Sequence, residues 1–258
     1  MSKRNTQQRR HIIITEVNSV GEVSVEALAK RFDISEVTIR KDLAALEKSG
    51  LLLRRYGGAV PLPQEITDAK ESKVSVQKLA IAKKAATLIK DHYRVVIDSG
   101  RTTSTIIEHL ADKRGLVVMT NSMKIAGRLH ELENEPTILM TGGTWDPTSE
   151  SFQGQIAEQV LRSYDFDQLF IGADGIDALR GTTTFNELIG LSRVMAEVAR
   201  EVIVVVESDK IGRKIPNLEL TWQQVDTLIT DDLLADSVKK QLIEQGVNVV
   251  IAPLNNQI

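Results

Sequence analysis

The chain has 258 residues, of which 42% are hydrophobic and 26% charged, so it can bury a full-sized core and is neither disordered nor fibrous. It has no cysteine, which excludes disulfide scaffolds, zinc–thiolate and iron–sulfur sites and a cysteine nucleophile. The net charge of −3 is unevenly divided: residues 1–60 hold 11 Lys and Arg against 7 Asp and Glu, and the other 198 hold 21 against 28. A basic first part is expected where only that part meets an anionic polymer, although chance clustering of surface charge gives the same balance.

The first 60 residues predict three short helices and a two-stranded hairpin. Apolar residues at helical spacing predict a helix over Thr6–Val17 that Gly21 ends. Ser24 can cap a second helix and Ser35 a third. The inward face of the third helix is predicted to carry Val37, Ile39, Leu43 and Leu46. Residues 51–60 combine a β-prone segment with a Gly-Gly turn, which is typical of the wing of a winged helix.

Residues 61–74 are predicted to be a linker, because two prolines and mixed charges occur there without apolar periodicity. Residues 75–258 then alternate β-branched runs with helical patterns, which predicts a doubly wound, mainly parallel α/β domain with helices on both faces of its sheet. The predicted strands are Arg94–Asp98, Leu116–Thr120, Thr137–Met140, Gln168–Gly172, Val202–Val206, Thr227–Thr230 and Val247–Ala252. The predicted helices include Lys78–Lys90, Thr103–Leu110, Ser122–Leu132, Ile156–Arg162, Leu188–Ala199 and Ser237–Gln245. Ligands of such sheets bind where strands end, so the loops after the strands carry the candidate site.

The third helix has a polar face that is typical of a DNA-recognition helix, with short hydrogen-bonding side chains near its start and cations beside them. Arg40 can contact a guanine edge or a phosphate, and Lys41 a phosphate. The predicted DNA-binding residues are Ser35, Glu36, Thr38, Arg40 and Lys41 of this helix and Arg54 and Arg55 of the wing. A small helical dimerisation module with solvated cations is the alternative.

The segment Ile97–Ser104 joins a predicted strand to a predicted helix and is rich in Ser, Gly and Thr. Glycine permits a tight turn, the hydroxyls can donate hydrogen bonds, and the helix start offers free N–H groups, which together suit a phosphate. Helix capping selects the same residues, so both interpretations stay open for this loop alone. Polar or small residues after other predicted strands would surround the same pocket: Asn121, Gly142, Gly143, Asp174, Asn186, Glu187 and Lys210. The alternative is a structural role, with Asn121 as a helix cap and Gly142 and Gly143 in a turn.

The run Val37–Glu47, together with Arg55–Ala59, closely resembles the winged helix-turn-helix of DeoR-family bacterial transcription regulators. The resemblance extends from about Thr6 to about Asp232 and implies a phosphosugar isomerase-like sensor domain whose effector is a sugar phosphate. It implies that the phosphate loop consists of Asp98, Ser99, Gly100, Thr102 and Thr103, and that Asp174, Asn186, Glu187 and Lys210 face the sugar. Segments 172–177 and 183–187 look closest to members that govern hexitol or amino-sugar catabolism.

Three residues depart from that family pattern. Arg101 stands where the phosphate loop usually has Thr or Ser, and it is therefore added to the predicted effector-binding residues. Asp146 stands where a basic residue is common, and Asp209 where Ser is usual. Two added carboxylates and one added cation could re-centre the anion site on Arg101 or weaken it.

The sequence thus predicts a DNA-binding regulator, a repressor of a carbohydrate operon whose partners are double-stranded operator DNA and a small phosphorylated sugar. We expect a homo-oligomer, a dimer or a tetramer, with no cofactor, no metal and no catalytic residue. The first ten residues lack the apolar core of a signal peptide, and no apolar run approaches the roughly 18 residues of a membrane span, so a cytoplasmic protein without a membrane partner is expected.

The rival prediction is a phosphosugar isomerase. Segment Asp174–Asp177 matches the Asp-Gly-x-Asp signature of ribose-phosphate isomerases, and Glu187 could serve as a general base. Between Asp177 and Glu187, however, the chain has Arg180 but no lysine, where those isomerases usually place one. An isomerase also has no need of a DNA-reading head.

Overall fold

The computed structural model describes residues 3–48, 52–61, 74–147, 149–184, 189–213, 215 and 217–254. Contacts divide the chain into two compact units, residues 1–73 and 74–258. The predicted linker lies almost wholly outside the described residues, and so do Asn186 and Glu187 of the predicted effector site. Those assignments stay predictions.

The described part of the N-terminal unit contains three helices and a small antiparallel sheet. The helices are α1 (Lys3–Val20), α2 (Val25–Phe32) and α3 (Glu36–Lys48), and the strands are β1 (Val23–Ser24), β2 (Leu53–Arg55) and β3 (Gly58–Val60), in the order β1-β3-β2. Ser24 Oγ accepts the N–H of Ala27 over 3.0 Å, and Ser35 Oγ accepts that of Thr38 over 3.3 Å. Both predicted helix caps are confirmed.

The core of this unit draws on all three helices and the sheet. It includes Ile13, Val17, Leu28, Ile39, Leu43, Leu46, Leu52 and Ala59. The prediction that Val37 faces inward is wrong, because its side chain is 58% exposed. Val37 precedes the buried Ile39 by two residues and is therefore turned about 200° away from it around the helix. It shares its exposed face with Lys41, one helical turn further on.

The C-terminal unit is built on a parallel sheet of seven strands. In spatial order these are β15 (Asn248–Ala252), β14 (Thr227–Asp231), β12 (Ala199–Val205), β9 (Phe166–Ile171), β4 (Arg94–Ile97), β5 (Val117–Thr120) and β6 (Thr137–Met140). They are the predicted strands, with ends shifted by a few residues. From β4 the chain adds strands on one side, and from β9 onward on the other, so the strand order reverses between β4 and β9.

Helices cover both faces of this sheet, as predicted. They are α4 (Val76–Ala86), α5 (Arg101–Ile106), α6 (Met123–His130), α7 (Gln155–Leu161), α8 (Gly190–Glu197) and α9 (Asp236–Glu244). Along β12, Val202 and Val204 pack in one apolar cluster with Leu191 of α8, whereas Ile203 packs in another with Ile81 of α4. Successive strand residues point to opposite faces, which explains the continuous apolar runs in the sequence.

Five short strands of the C-terminal unit were not predicted. Strands β10 (Gly175–Asp177), β11 (Gly181–Thr184) and β13 (Asn217–Thr221) form an antiparallel sheet, and β7 (Thr144–Asp146) pairs with β8 (Ser151–Gln153) in a hairpin. The prediction of loops at 175–177 and 183–184 is therefore wrong. These strands are too short, and too rich in Gly, Thr and Asp, to show an apolar run. Ala199, predicted to end a helix, begins β12.

Candidate functional site

Predicted site residues follow five neighbouring strands of the parallel sheet. Segment 142–143 follows β6, Asn121 follows β5, Asp98 follows β4, Asp174 follows β9, and Lys210 follows β12. Because the strands are parallel, their carboxyl ends lie at one edge, and this edge carries all five segments. Asp98 and Asp174 flank the point where the strand order reverses, which is where open α/β sheets form a ligand crevice.

Asn121 joins the ends of β4 and β5. Its Nδ2 donates to Asp98 Oδ1 over 2.8 Å, and its Oδ1 accepts the N–H of Ser99 over 2.9 Å. Burial raises the pKa of Asp98 to about 6, the hydrogen bond from Asn121 opposes that rise, and the charge of Asp174 adds to it. Asn121 is itself 1% exposed, so this buried amide fixes the start of the predicted phosphate loop.

The predicted phosphate loop leads directly into α5. Gly100 stands at the N-cap position with a φ of 158°, and a Cβ there would lie 2.9 Å from Thr103 Oγ1. A glycine cap has no side chain to bond the first-turn N–H groups, which leaves them available to an anion. Thr103 is fully buried and donates its hydroxyl to Gly100 O over 3.1 Å, so it stabilises the turn. Thr102 is 6% exposed.

Arg101 begins α5 with a half-buried side chain. Among the ion pairs of the described residues, none involves its guanidinium. The two carboxylates that depart from the family pattern both have local partners. Asp146 Oδ2 accepts the hydroxyl of Ser149 over 2.6 Å, and Asp209 Oδ2 pairs with Arg213 Nη2 over 2.6 Å.

Asp174 and Lys210 lie on the other side of Asp98. Thr184 Oγ1 donates to Asp174 Oδ2 over 2.8 Å, and Lys210 Nζ donates to Ala173 O over 3.1 Å. Lys210 is 9% exposed although it is a lysine. It therefore extends from the segment after β12 to the segment after β9, and it brings a cation to the edge that holds Asp174.

The loop after β6 contains the two predicted glycines. Gly142 has a φ of 61° and Gly143 a φ of 107°, so both adopt the left-handed region that favours glycine. A Cβ at Gly143 would lie 2.5 Å from Gln153 O. Gly143 is therefore needed for close packing against β8, and the positive φ of Gly142 is the structural reason for glycine there.

A buried carboxyl that the sequence analysis missed lies in this unit. Glu219 of β13 is 8% exposed and accepts hydrogen bonds from Ser192 Oγ over 2.7 Å and Thr182 Oγ1 over 3.4 Å. Burial, together with the nearby charges of Asp98 and Asp174, raises the pKa of Glu219 to about 8. Its sequence signal is slight: one glutamate between two leucines in an unpredicted strand.

Asp177, the second aspartate of the isomerase-like signature, ends β10, and its side chain stabilises the turn that follows. Its Oδ2 accepts Arg180 Nε over 2.6 Å, and this hydrogen bond lowers the pKa of Asp177. Glu187, the candidate general base, lies outside the described residues.

The predicted recognition helix exposes its polar face. The Ser35 and Thr38 hydroxyls lie 3.0 Å apart, and Arg40 Nη2 donates to Glu36 Oε2 over 2.8 Å. Lys41 is exposed, and so is Val37, which the sequence analysis placed inside. This face thus combines hydroxyls, cations and one valine.

The opposite face of α3 is fixed to α1. Asp42 is 2% exposed; its Oδ2 lies 2.6 Å from Arg9 Nη2, and its Oδ1 lies 2.8 Å from Arg10 Nε. The orientation of the recognition helix therefore depends on a buried charge cluster.

The wing places two cations and an aromatic residue at the surface. Arg54 Nε pairs with Glu47 Oε2 over 2.6 Å, and Arg55 Nη1 lies 4.0 Å from Glu22 Oε1. Tyr56, at the turn between β2 and β3, is fully exposed, and the sequence analysis did not assign it a role. The described wing is thus compatible with contact to a polyanion.

Within the described ranges, no helix combines the length and the apolar character that a membrane crossing requires. Over the same part of the chain, no three histidines or acidic residues lie together as a metal-binding group.

Two family models match the chain. The model of the DeoR-like helix-turn-helix domain covers residues 9–65, and that of the DeoR C terminal sensor domain covers residues 73–232. The matches follow one another along the chain in the same order as the two compact units.

Several relatives match nearly the full length. A protein of Escherichia coli O157:H7 named "Putative aga operon transcriptional repressor" is 38% identical over 253 residues, which cover 95% of this chain and 94% of that protein. The transcriptional regulator GlpR of Haloferax volcanii is 32% identical over 94% of this chain and 96% of GlpR. The transcriptional repressor AccR of Agrobacterium fabrum is 32% identical over 88% of this chain and 90% of AccR.

Among solved structures, ribose 5-phosphate isomerase A of Methanocaldococcus jannaschii is 20% identical and aligns with a TM-score of 0.38 over 53% of this chain and 54% of the isomerase. That score is too low to support an argument. The two family models and the relatives show that the chain belongs to the DeoR family of DNA-binding transcription regulators.

Proposed function

We propose that the chain is a repressor of a carbohydrate operon whose sensor unit binds a phosphorylated sugar and thereby changes operator binding by the N-terminal unit. The predicted DNA-binding residues of α3 and the wing would contact the operator. The predicted loop 98–103, with Asn121, Asp174, Asn186, Glu187 and Lys210, would bind the effector. Two of the relatives are named repressors, which supports repression rather than activation.

One observation supports the effector pocket above all others. The polar residues Asp98 and Asp174 follow the two strands between which the strand order reverses, and Asn121 and Lys210 follow the strands just outside them. Carboxylate and amide oxygens suit sugar hydroxyls, whereas Lys210, Arg101 and the open N–H groups of α5 suit a phosphate. This edge therefore offers both halves of a sugar phosphate a partner.

The ligand is tested with a panel of hexose, amino-hexose and hexitol 6-phosphates, each paired with its unphosphorylated parent. Thermal shift of the full chain reports binding, and a gel shift with DNA from upstream of the neighbouring operon reports release. At least one phosphorylated compound should bind and alter the gel shift, while its parent should not.

Lys210→Met should abolish that binding, because it removes the buried cation that reaches the segment carrying Asp174. Lys240→Met is the matched control, since it removes an exposed lysine of α9. If no phosphorylated compound binds at millimolar concentration, the effector class is refuted, although a gel shift by the protein alone would still support DNA binding.

We also propose a homo-oligomer, because one winged helix reads a short site and paired half-sites are read by symmetric oligomers. Light scattering of the free protein and of its operator complex is the test. A monomer in both states would contradict the proposal.

A further inference from the structure

Glu207, the residue before the turn that carries Lys210, joins that turn to the beginning of the sensor unit. Its Oε1 accepts a hydrogen bond from Ser75 Oγ over 2.6 Å, and its Oε2 lies 3.1 Å from Lys78 Nζ. The side chains of Lys78 and Glu207 are each 12% exposed, so solvent screens this pair weakly. Two polar contacts thus link segments that lie more than a hundred residues apart in sequence.

Ser75 has a second role at the same point. Its Oγ accepts the N–H of Lys78 over 3.2 Å and so caps α4, while its hydroxyl hydrogen goes to Glu207. The sensor unit begins at residue 74, one position earlier. Glu207 therefore holds the first turn of the unit, at the place where the chain arrives from residues 1–73.

At its other end, the same turn contacts the candidate pocket. The 3-10 turn Ser208–Lys210 is held by Asp231, which accepts the N–H of Ser208 over 2.8 Å and its hydroxyl over 2.6 Å. Lys210 donates its own N–H to Glu207 O over 3.1 Å and its Nζ to Ala173 O over 3.1 Å. One backbone hydrogen bond therefore connects Lys210 with Glu207 across this turn.

We infer that Glu207 is a positioning residue through which ligand binding at the candidate pocket acts on the segment that leads to the DNA-binding unit. The inference rests on the proposed effector pocket. A ligand that engages Lys210 moves the 208–210 turn, and the carboxylate of Glu207 carries that movement to Ser75 and Lys78. Glu207 then contributes to the coupling free energy between ligand binding and operator binding. By thermodynamic linkage, the ligand changes operator affinity by the same factor by which the operator changes ligand affinity.

Contacts in series count as coupling only when a change at one end alters the other. The first experiment therefore needs no ligand. Amide hydrogen exchange is measured by mass spectrometry on peptides covering residues 74–82 in the full chain, for the wild type, Lys210→Met, Glu207→Gln and the double variant. Lys210→Met should change exchange in the first turn of α4 several-fold, and this response should disappear in the Glu207→Gln background. An equal response in both backgrounds, or none in the wild-type background, overturns the inference.

Two further variants remove the same contacts from the opposite side. Ser75→Ala and Lys78→Met leave Glu207 intact and should each weaken the response to Lys210→Met. Glu197→Gln is the matched control, because it breaks the exposed 3.4 Å pair with Arg162 beside the beginning of β12, at the opposite edge of the sheet. If Glu207 had only a structural role, Glu207→Gln would lower the melting temperature, but Lys210→Met would change the exchange of residues 74–82 equally with and without Glu207→Gln.

A second experiment uses each sugar phosphate of the panel that binds. Operator affinity is measured by fluorescence anisotropy with and without that compound, for the wild type, Glu207→Gln and Glu197→Gln. The fold-change that the compound causes should shrink toward one in Glu207→Gln and persist in the control, while the affinity for the compound changes little. An unchanged fold-change in Glu207→Gln refutes the inference. If no compound binds, the proposed effector class fails, and the exchange experiment still decides the role of Glu207.

Discussion

Arg9 of α1 donates from Nε to Asp42 Oδ2 of α3 over 2.6 Å, and both side chains are more than nine-tenths buried. Asp42 directly follows Arg40 and Lys41, the two cations of α3 that are predicted to contact DNA. The helix that reads DNA is thus oriented by a charge pair on its buried side, and burial makes the loss of either partner costly.

Asp42→Asn should therefore destabilise the N-terminal unit by about 3–5 kcal/mol, because it leaves Arg9 without a buried counter-charge. Chemical denaturation of the full chain, followed through the transition of this unit, measures the change. Glu36→Gln, which removes the exposed partner of Arg40, is the control and should cost under about 1 kcal/mol. Equal costs for the two variants would contradict the structural role of the buried pair.

Arg40 and Lys41 should differ in what their loss does to DNA binding. If Arg40 contacts a guanine edge, Arg40→Ala should cost about 1–3 kcal/mol of operator affinity and relax specificity at one base pair. Lys41→Ala should weaken all sequences alike and reduce the salt dependence, because it removes one phosphate contact. Anisotropy titrations at several salt concentrations separate the two effects. Unchanged binding in both variants, with the fold intact, would refute the assignment.

Val37 offers a second test of the recognition face. An exposed valine beside Lys41 suits the methyl group of a thymine in the major groove. Val37→Ala should lower operator affinity by roughly 0.8 kcal/mol per buried carbon lost and leave stability nearly unchanged. Replacing thymine by uracil at the contacted position should remove the difference between valine and alanine. If the difference persists with every such replacement, Val37 does not contact a thymine methyl.

Arg101→Thr tests whether the added cation belongs to the anion site. A guanidinium at the start of α5 can bind two phosphate oxygens, so we expect at least about a tenfold loss of affinity for a phosphorylated ligand, as a charge-assisted hydrogen bond would contribute. Calorimetry measures this loss, with the unphosphorylated parent as the control ligand. Unchanged affinity would show that the backbone N–H groups and hydroxyls suffice.

The buried carboxyl of Glu219 predicts a pH dependence of stability. Its folded pKa of about 8 lies above the ordinary 4.5, so the folded state holds a proton that the unfolded state releases between these values. The stabilising contribution is complete below pH 4.5 and is lost as pH rises toward 8, by at most about 1.4 kcal/mol per pH unit. Glu219→Gln should remove this fall, which melting curves of the sensor unit across that range would show. Parallel pH profiles for the variant and the wild type would contradict the protonation of Glu219.

The amino-acid sequence by itself determined the main architecture of the chain and the N-caps of α2 and α3 in the N-terminal unit. The strands of the parallel sheet are buried on both faces, so runs such as Val202–Val205 are continuously apolar and visible without a structure. Ser24 and Ser35 could be assigned as caps because capping is a local hydrogen bond between residues three apart. Because open α/β sheets bind ligands where their strands end, the sequence also predicted that Asp98, Asn121 and Lys210 lie at one edge of the sheet.

Tertiary structure alone decided which polar residues that are distant in sequence contact each other. Three carboxyl side chains have hydrogen-bond partners 27 to 132 residues away in sequence, and no local pattern predicts such contacts: Glu219, Asp42 and Glu207. The rotation of α3 about its own axis, which exposes Val37, was likewise set by the packing of Ile39 and Leu43 against the rest of the unit. Local hydrogen bonds and apolar periodicity involve residues that are close in sequence, so they can be predicted from it. The burial and pairing of charges depend on how distant segments fold together.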